Sequence, residues 1–136
     1  MVEIQINYKG QLRCVAEHMP SGKKVMSDAP VDNQGRGESF SPTDLVATAL
    51  GTCIVTIMGI IADQREIDLK GLRLVVQKGM SADLPRRIIR LELQIHVPVS
   101  VSHPDRKVLE DAAQNCPVQH SIHPGIEVNI DWRWQA

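Results

Sequence analysis

The sequence predicts an α+β fold in which antiparallel strands are laid over helices. Three observations carry that prediction. Several stretches alternate apolar and polar residues with a period of two. One central segment is apolar nearly all round over the length of a long helix. The two kinds of segment follow the order βββ-α-ββ-α-β, which is not the strict alternation of a parallel α/β sheet.

The first strand spans residues 2–8, where Val2, Ile4, Ile6 and Tyr8 alternate with Glu3, Gln5 and Asn7 and predict one wet face. Lys9-Gly10 turns the chain into a second strand near 12–18, in which Leu12, Cys14 and Ala16 share a face. Pro20-Ser21-Gly22 supplies the next turn, and a short third strand follows near 23–27. Residues 28–41, DAPVDNQGRGESFS, are polar and contain glycine, and a connection of that length is usually functional or mobile.

A helix then starts at Ser41, a good N-cap, with Pro42 at the first helical position and Asp44 three residues after the cap. It is predicted to run to about Gln64. From Leu45 to Ile61 it carries no formal charge over 17 residues, the lower limit for crossing a bilayer. Gly51, Gly59 and three threonines interrupt the run, so a buried central helix is expected and not a membrane span. A sheet covers only one side of such a helix. A second chain is expected on the other, most economically in a two-fold dimer.

Residues 71–80 and 87–99 read as two long strands; in the second, Ile89, Leu91, Leu93, Ile95 and Val97 alternate with polar residues. Ser102 and Asp105 repeat the capping pattern with Pro104 in the first turn. The helix that follows puts Val108, Leu109, Ala112, Ala113 and Cys116 on one stripe, and Pro117 breaks or restarts it. The last strand places Ile126, Val128, Ile130, Trp132 and Trp134 on one face.

A chain of 136 residues suits a single domain spanning 1–136. With a net charge of −1 and basic residues scattered apart from Lys23-Lys24 and Arg86-Arg87, no nucleic-acid partner is expected. Aromatic residues at 3% leave no base-stacking platform. The opening MVEIQINYK has no apolar leader core, and three cysteines without a CxxC read as reduced thiols, so a cytoplasmic protein is expected. There is no P-loop, GxGxxG, HExxH or GxSxG, and no cofactor is expected. Cys116, His120 and His123 give C-x3-H-x2-H, short of the four ligands of a structural zinc site, and no metal is expected. His18, His96 and His103 are isolated and read as solvated.

Each cysteine has a plain reading as a small hydrophobe. Cys14 alternates in step with Leu12 and Ala16. Cys53 shares a helix face with Leu50, Ile57 and Ile61. Cys116 either closes the second helix stripe or heads a new turn, PVQHSI, whose free N–H groups favour the thiolate. Spacing alone does not say whether Cys53 and Cys116 touch.

The string GRGESFSPTDLVATALGTC, followed much later by AAQNCPVQHSIHP, resembles the OsmC/Ohr family in its broad OsmC-like branch. GQLRC and SGKKVMSDAP also fit, as do the strand order and the last strand, so the resemblance covers essentially the whole chain. It implies an OsmC-like fold, an intertwined homodimer with active sites at the interface, and a thiol peroxidase acting in oxidative stress. The substrates implied are organic hydroperoxides and, for some members, hydrogen peroxide. By resemblance, Cys53 attacks the peroxide, Cys116 resolves the sulfenic acid as a disulfide, and an external dithiol such as a lipoyl group restores both. The family assists the thiol with an arginine oriented by a glutamate. Arg13 on the second strand and Arg36 in the loop before the helix each match one branch, with Arg13 favoured. The family's glutamate position is Thr43 here; Asp44 beside it and Glu38 in the loop are the acidic residues at hand, and Asp44 serves equally as a helix-start charge. That departure keeps two other readings open. One is a non-catalytic dimeric module that binds a small apolar or electrophilic ligand. The other is a structural protein with inert core cysteines.

Overall fold

The computed structural model describes residues 1–136, in two units, Met1–Val46 and Ala47–Ala136. In the first unit, β1 (Ile4–Gly10), β2 (Arg13–His18) and β3 (Lys23–Asp28) form an antiparallel sheet in the order β1-β2-β3. Gly10, Gln11 and Leu12 all have positive φ, giving the left-handed backbone that a tight hairpin needs between right-twisted strands. The register sets Ile6 beside Ala16 and Ala16 beside Val25, so Ile4, Ile6, Tyr8, Cys14, Ala16 and Val25 share one face. This apolar face is open: Ile6 is 67% and Tyr8 65% exposed. The strand expected to have one wet face is exposed on both, with every residue before Gly10 exposed.

The polar connection after β3 folds back on its own base. A 3₁₀ turn at Val31–Asn33 is held by the Asn33 and Gly35 amides, which donate to the Pro30 carbonyl at 3.0 and 2.9 Å. The Gly37 amide donates to Ala29 O at 3.0 Å, and Asp28 N–H donates to Phe40 O at 2.9 Å. A Cβ on Gly35 would stand 1.8 Å from Ala29 O, so only glycine allows this closure.

Helix α1 (Pro42–Gln64) begins with a reciprocal cap: Ser41 Oγ accepts the Asp44 amide at 3.1 Å, and Asp44 Oδ2 accepts the Ser41 amide at 2.9 Å. It ends on Glu66 at φ 56°, with Ile67 N–H donating back to Ala62 O at 2.9 Å. By length and composition α1 could cross a membrane, and 33% of its most apolar window is buried in the chain. Ala47, Leu50, Gly51, Ile54, Met58 and Ala62 form its buried face, at the three- and four-residue steps of one helix side. The opposite side, with Ala49, Thr52, Thr56 and Ile60, is exposed.

The second unit packs that buried face against a three-stranded sheet of β4 (Arg73–Met80), β5 (Ile88–Ser100) and β6 (Glu127–Gln135), in the order β4-β5-β6. Leu91, Leu93, Ile95 and Val97 alternate inward along β5 and join the core. A Cβ on Gly51 would meet Leu74 Cδ2 at 3.0 Å, so this glycine lets a β4 side chain approach the helix closely. The expectation of a wholly antiparallel sheet is corrected here: β4 and β5 are antiparallel, but β6 runs parallel to β5. The crossover through α2 (Arg106–Ala113) is long enough to return the chain to the starting end of the sheet, which a hairpin cannot do.

Ser102 is not the cap of α2. Its Oγ pairs with Ser100 Oγ at 2.9 Å, while His103 Nδ1 accepts the Asp105 amide at 3.0 Å and delays the helix to Arg106. Leu109 and Ala113 bury its inner side. Trp134 Nε1 donates to Glu110 Oε1 at 2.9 Å, and the Arg106 guanidinium lies 5.6 Å from the Trp134 ring centre; both contacts tie α2 to β6.

Candidate active site

Cys53 projects from the middle of α1 and is half-buried, whereas Cys116 lies three residues past the end of α2 and is fully buried. Cys116 heads a short turn. Its sulfur accepts the Gln119 amide at 3.3 Å, its carbonyl accepts His120 N–H at 3.3 Å, and Val118 O accepts Ile122 N–H at 3.0 Å. The fold places Cys53 near enough to Cys116 for the two thiols to influence one another, and both are free. Burial pushes the Cys116 thiol up; the Gln119 and Val118 amides pull it down, and the Cys53 sulfur adds to the rise. This reverses the thiolate character expected from a helix N-terminus, because a single turn with two amides does not offset complete loss of solvent.

Of the histidines near this turn, His123 Nδ1 accepts the Gly125 amide at 2.8 Å and His120 is exposed. The His, Cys, Asp and Glu side chains form no group of three or more placed for a metal ion. His96 is paired and not simply solvated, with Nε2 2.7 Å from Gln94 Oε1 and 3.2 Å from Arg73 Nη2. An apolar hollow of about 340 Å³ lies between α1 and β4, lined by Thr48, Thr52, Val55, Thr56 and Leu74 among others. Cys53 is not among its lining residues.

In the first unit, Arg13 opens β2 directly opposite Asp28, the last residue of β3. Arg13 Nη2 donates to Glu38 Oε2 at 2.7 Å and lies 3.5 Å from Asp28 Oδ2. The pair with Glu38, and secondarily Asp28, hold the guanidinium firmly charged. Of the two arginines and two acids left open by the sequence, the structure joins Arg13 to Glu38. Arg36 is exposed in the loop, and Asp44 is engaged in the α1 cap. Thr43 Oγ1 lies 3.2 Å from Ser41 Oγ. Sequence reasoning missed Asp28, which is 2% exposed and also accepts the Glu38 amide at 3.0 Å. The signal was available: counting outward from the Pro20-Ser21-Gly22 turn, the register that pairs His18 with Lys23 pairs Arg13 with Asp28. Cys14, opposite Tyr8 and Ser27, sits on the first sheet's apolar face and is half-buried.

A family model described as OsmC-like protein matches residues 35–131. A Psychrobacter arcticus 273-4 protein, provisionally named an osmotic stress induced and detoxification response protein, is 42% identical over 97% of this chain and 96% of its own, with a TM-score of 0.91. An organic hydroperoxide resistance protein from Legionella pneumophila shares the fold at 16% identity, with a TM-score of 0.77 over 98% of this chain and 96% of that one. Another from Elizabethkingia anophelis does so at 14% identity, with a TM-score of 0.77 over the same shares. No functionally curated protein matches the chain significantly.

Proposed function

The chain belongs to the OsmC-like protein family, and from that premise we propose that it is a cysteine-based hydroperoxide reductase with Cys53 as nucleophile and Cys116 as resolving thiol. The observation that carries this reading is the meeting of two free thiols from distant parts of the chain, one half-buried and one fully buried with its proton held. The Cys53 thiolate attacks the distal oxygen of ROOH: a sulfur–oxygen bond forms, the O–O bond breaks, and alkoxide departs. Cys116 is the nearby acid that hands the alkoxide a proton, leaving ROH and a Cys116 thiolate. That thiolate attacks the Cys53 sulfenic acid, the disulfide forms, and hydroxide leaves. An external dithiol, of which a lipoyl group is the chemical type, returns both sulfurs to thiols.

Arg13, held by Glu38, is the cation we assign to the thiol, since a thiolate nucleophile is favoured by a fixed positive charge beside it. A homodimer is part of the same proposal. The open face with Ile4, Ile6, Tyr8 and Val25, and the uncovered side of α1 with Ile60, are the apolar surfaces a second copy would cover.

Consumption of cumene or fatty-acid hydroperoxide, with lipoamide or dithiothreitol as reductant, tests the reading. Cys53→Ser abolishes turnover, and Cys116→Ser allows one oxidation and accumulates a sulfenic acid that dimedone traps. No consumption above blank by the wild-type protein rejects catalysis. The second reading, a binding module, is favoured by the uncharged Thr43 at the helix start. It predicts a ligand that raises the melting temperature and is recovered unchanged.

A further inference from the structure

We infer that Asp28 is the positioning residue of the Arg13–Glu38 pair. Three contacts converge on it. Its carboxylate faces Arg13 across the β2–β3 register, with Oδ2 3.5 Å from Arg13 Nη2. The same oxygen accepts the Glu38 amide at 3.0 Å, so it fixes the backbone from which the Glu38 side chain reaches the guanidinium. Its own amide, donating to Phe40 O, closes the base of the loop that carries Glu38.

The environments of the two carboxylates separate their roles. Glu38 is 56% exposed, and an exposed ion pair fixes little by itself because water screens it and both side chains lose rotamer freedom. Asp28 is 2% exposed, so moving its carboxylate breaks contacts that water is not there to replace. The buried group is therefore the rigid reference, and the exposed group follows it. The Arg13 guanidinium and the backbone amide of Glu38 are both indexed to one carboxylate at the end of β3. Orienting the pair is thus a property of the hairpin and needs no carboxylate from the helix start.

This inference rests on the assignment of Arg13 to the reacting thiol, and the test separates the two. Asp28→Asn keeps an acceptor oxygen for the Glu38 amide while removing the charge that holds Arg13, so the fold is retained. Full-length wild type, Asp28→Asn, Arg13→Ala and the double variant are compared by the pH dependence of iodoacetamide alkylation of Cys53 and by kcat and KM for cumene hydroperoxide. Cys14→Ser/Cys116→Ser serves as the background for the alkylation. Asp28→Asn raises the alkylation midpoint by about one pH unit and lowers kcat/KM about tenfold, the loss that one unit gives at neutral pH. In the Arg13→Ala background the same change adds nothing, because the residue it positions is gone. An Asp28→Asn protein with the wild-type midpoint, or effects that multiply in the double variant, overturns the inference. A wild type that consumes no hydroperoxide overturns the functional reading alone, and the alkylation midpoints still decide the role of Asp28. An Arg13→Ala midpoint equal to that of the wild type refutes the inference together with its premise.

Discussion

Gly35→Ala tests whether the loop that presents Glu38 is built or merely present. The added Cβ would lie 1.8 Å from Ala29 O, 2.1 Å from Ala29 C and 2.5 Å from Ala29 Cβ. Two of these atoms are backbone at the loop's own base, so no rotamer change relieves the contact. The two sides of the loop have to separate by more than an ångström to reach ordinary contact. That movement breaks Gly37 N–H to Ala29 O, now 3.0 Å, and Gly35 N–H to Pro30 O, now 2.9 Å. At about 0.5–1.5 kcal/mol net for each hydrogen bond, the closed loop loses about 1–3 kcal/mol. The loss stays local, because residues 31–40 are mostly exposed and can open without unpairing the sheet. Arg36 lies in this segment and is exposed, so trypsin reports the opening directly. Cleavage after Arg36 in the native protein should rise about ten- to a hundredfold, since each 1.4 kcal/mol multiplies the open population tenfold. The urea midpoint should fall only slightly. Equal cleavage rates for Gly35→Ala and wild type would refute the account of the loop as a structure closed through its glycine.

Three further outcomes follow from contacts already described. Ser41→Ala removes the hydroxyl that caps α1 and should cost about 1 kcal/mol by urea denaturation, while Asp44→Asn, which keeps an acceptor oxygen, should cost less. Leu50 is 0% exposed in the core, and Leu50→Ala should cost about 2–5 kcal/mol, read as a lower midpoint at unchanged denaturant slope. The raised Cys116 thiol keeps its proton in the native state where the unfolded chain has already lost it. The unfolded state then binds fewer protons, so this group's contribution is constant below the ordinary thiol value and stability falls as pH rises above it. Cys116→Ser should flatten that alkaline fall in a series of urea melts; an unchanged slope would locate the pH dependence elsewhere.

Much of the fold was legible because its signals are local. Period-two alternation located β1, β2, β5 and β6, the Pro20-Ser21-Gly22 turn located the start of β3, and Ser41-Pro42 with Asp44 located the start of α1. The direction of β6 was not legible, because alternation marks which residues face inward and carries nothing about which way a neighbour runs. Ser102 misled because a serine before a proline-led helix resembles a cap, and only the His103 side chain bonding to the Asp105 amide shows where the helix truly begins. At the site, no spacing rule could join Cys53 to Cys116, since their meeting depends on how the core assembles; only the family resemblance suggested it. Arg13 and Glu38 were both visible as candidates, but their pairing is set by a hairpin register and a loop closure together. Asp28 was legible only by counting the hairpin register outward to Arg13; by composition alone an aspartate where strand gives way to loop reads as one that faces water.

The two sulfurs are mounted on supports of unequal stiffness. Cys53 rides on a 23-residue helix with six buried residues, and moving it means repacking the interior. Cys116 is carried by a brief coil tethered through a handful of amides. Drawing the sulfurs to covalent distance therefore asks the coil to yield while the helix acts as an anvil. If the proposed disulfide forms, hydrogen–deuterium exchange should change in residues 116–122 and stay the same in α1.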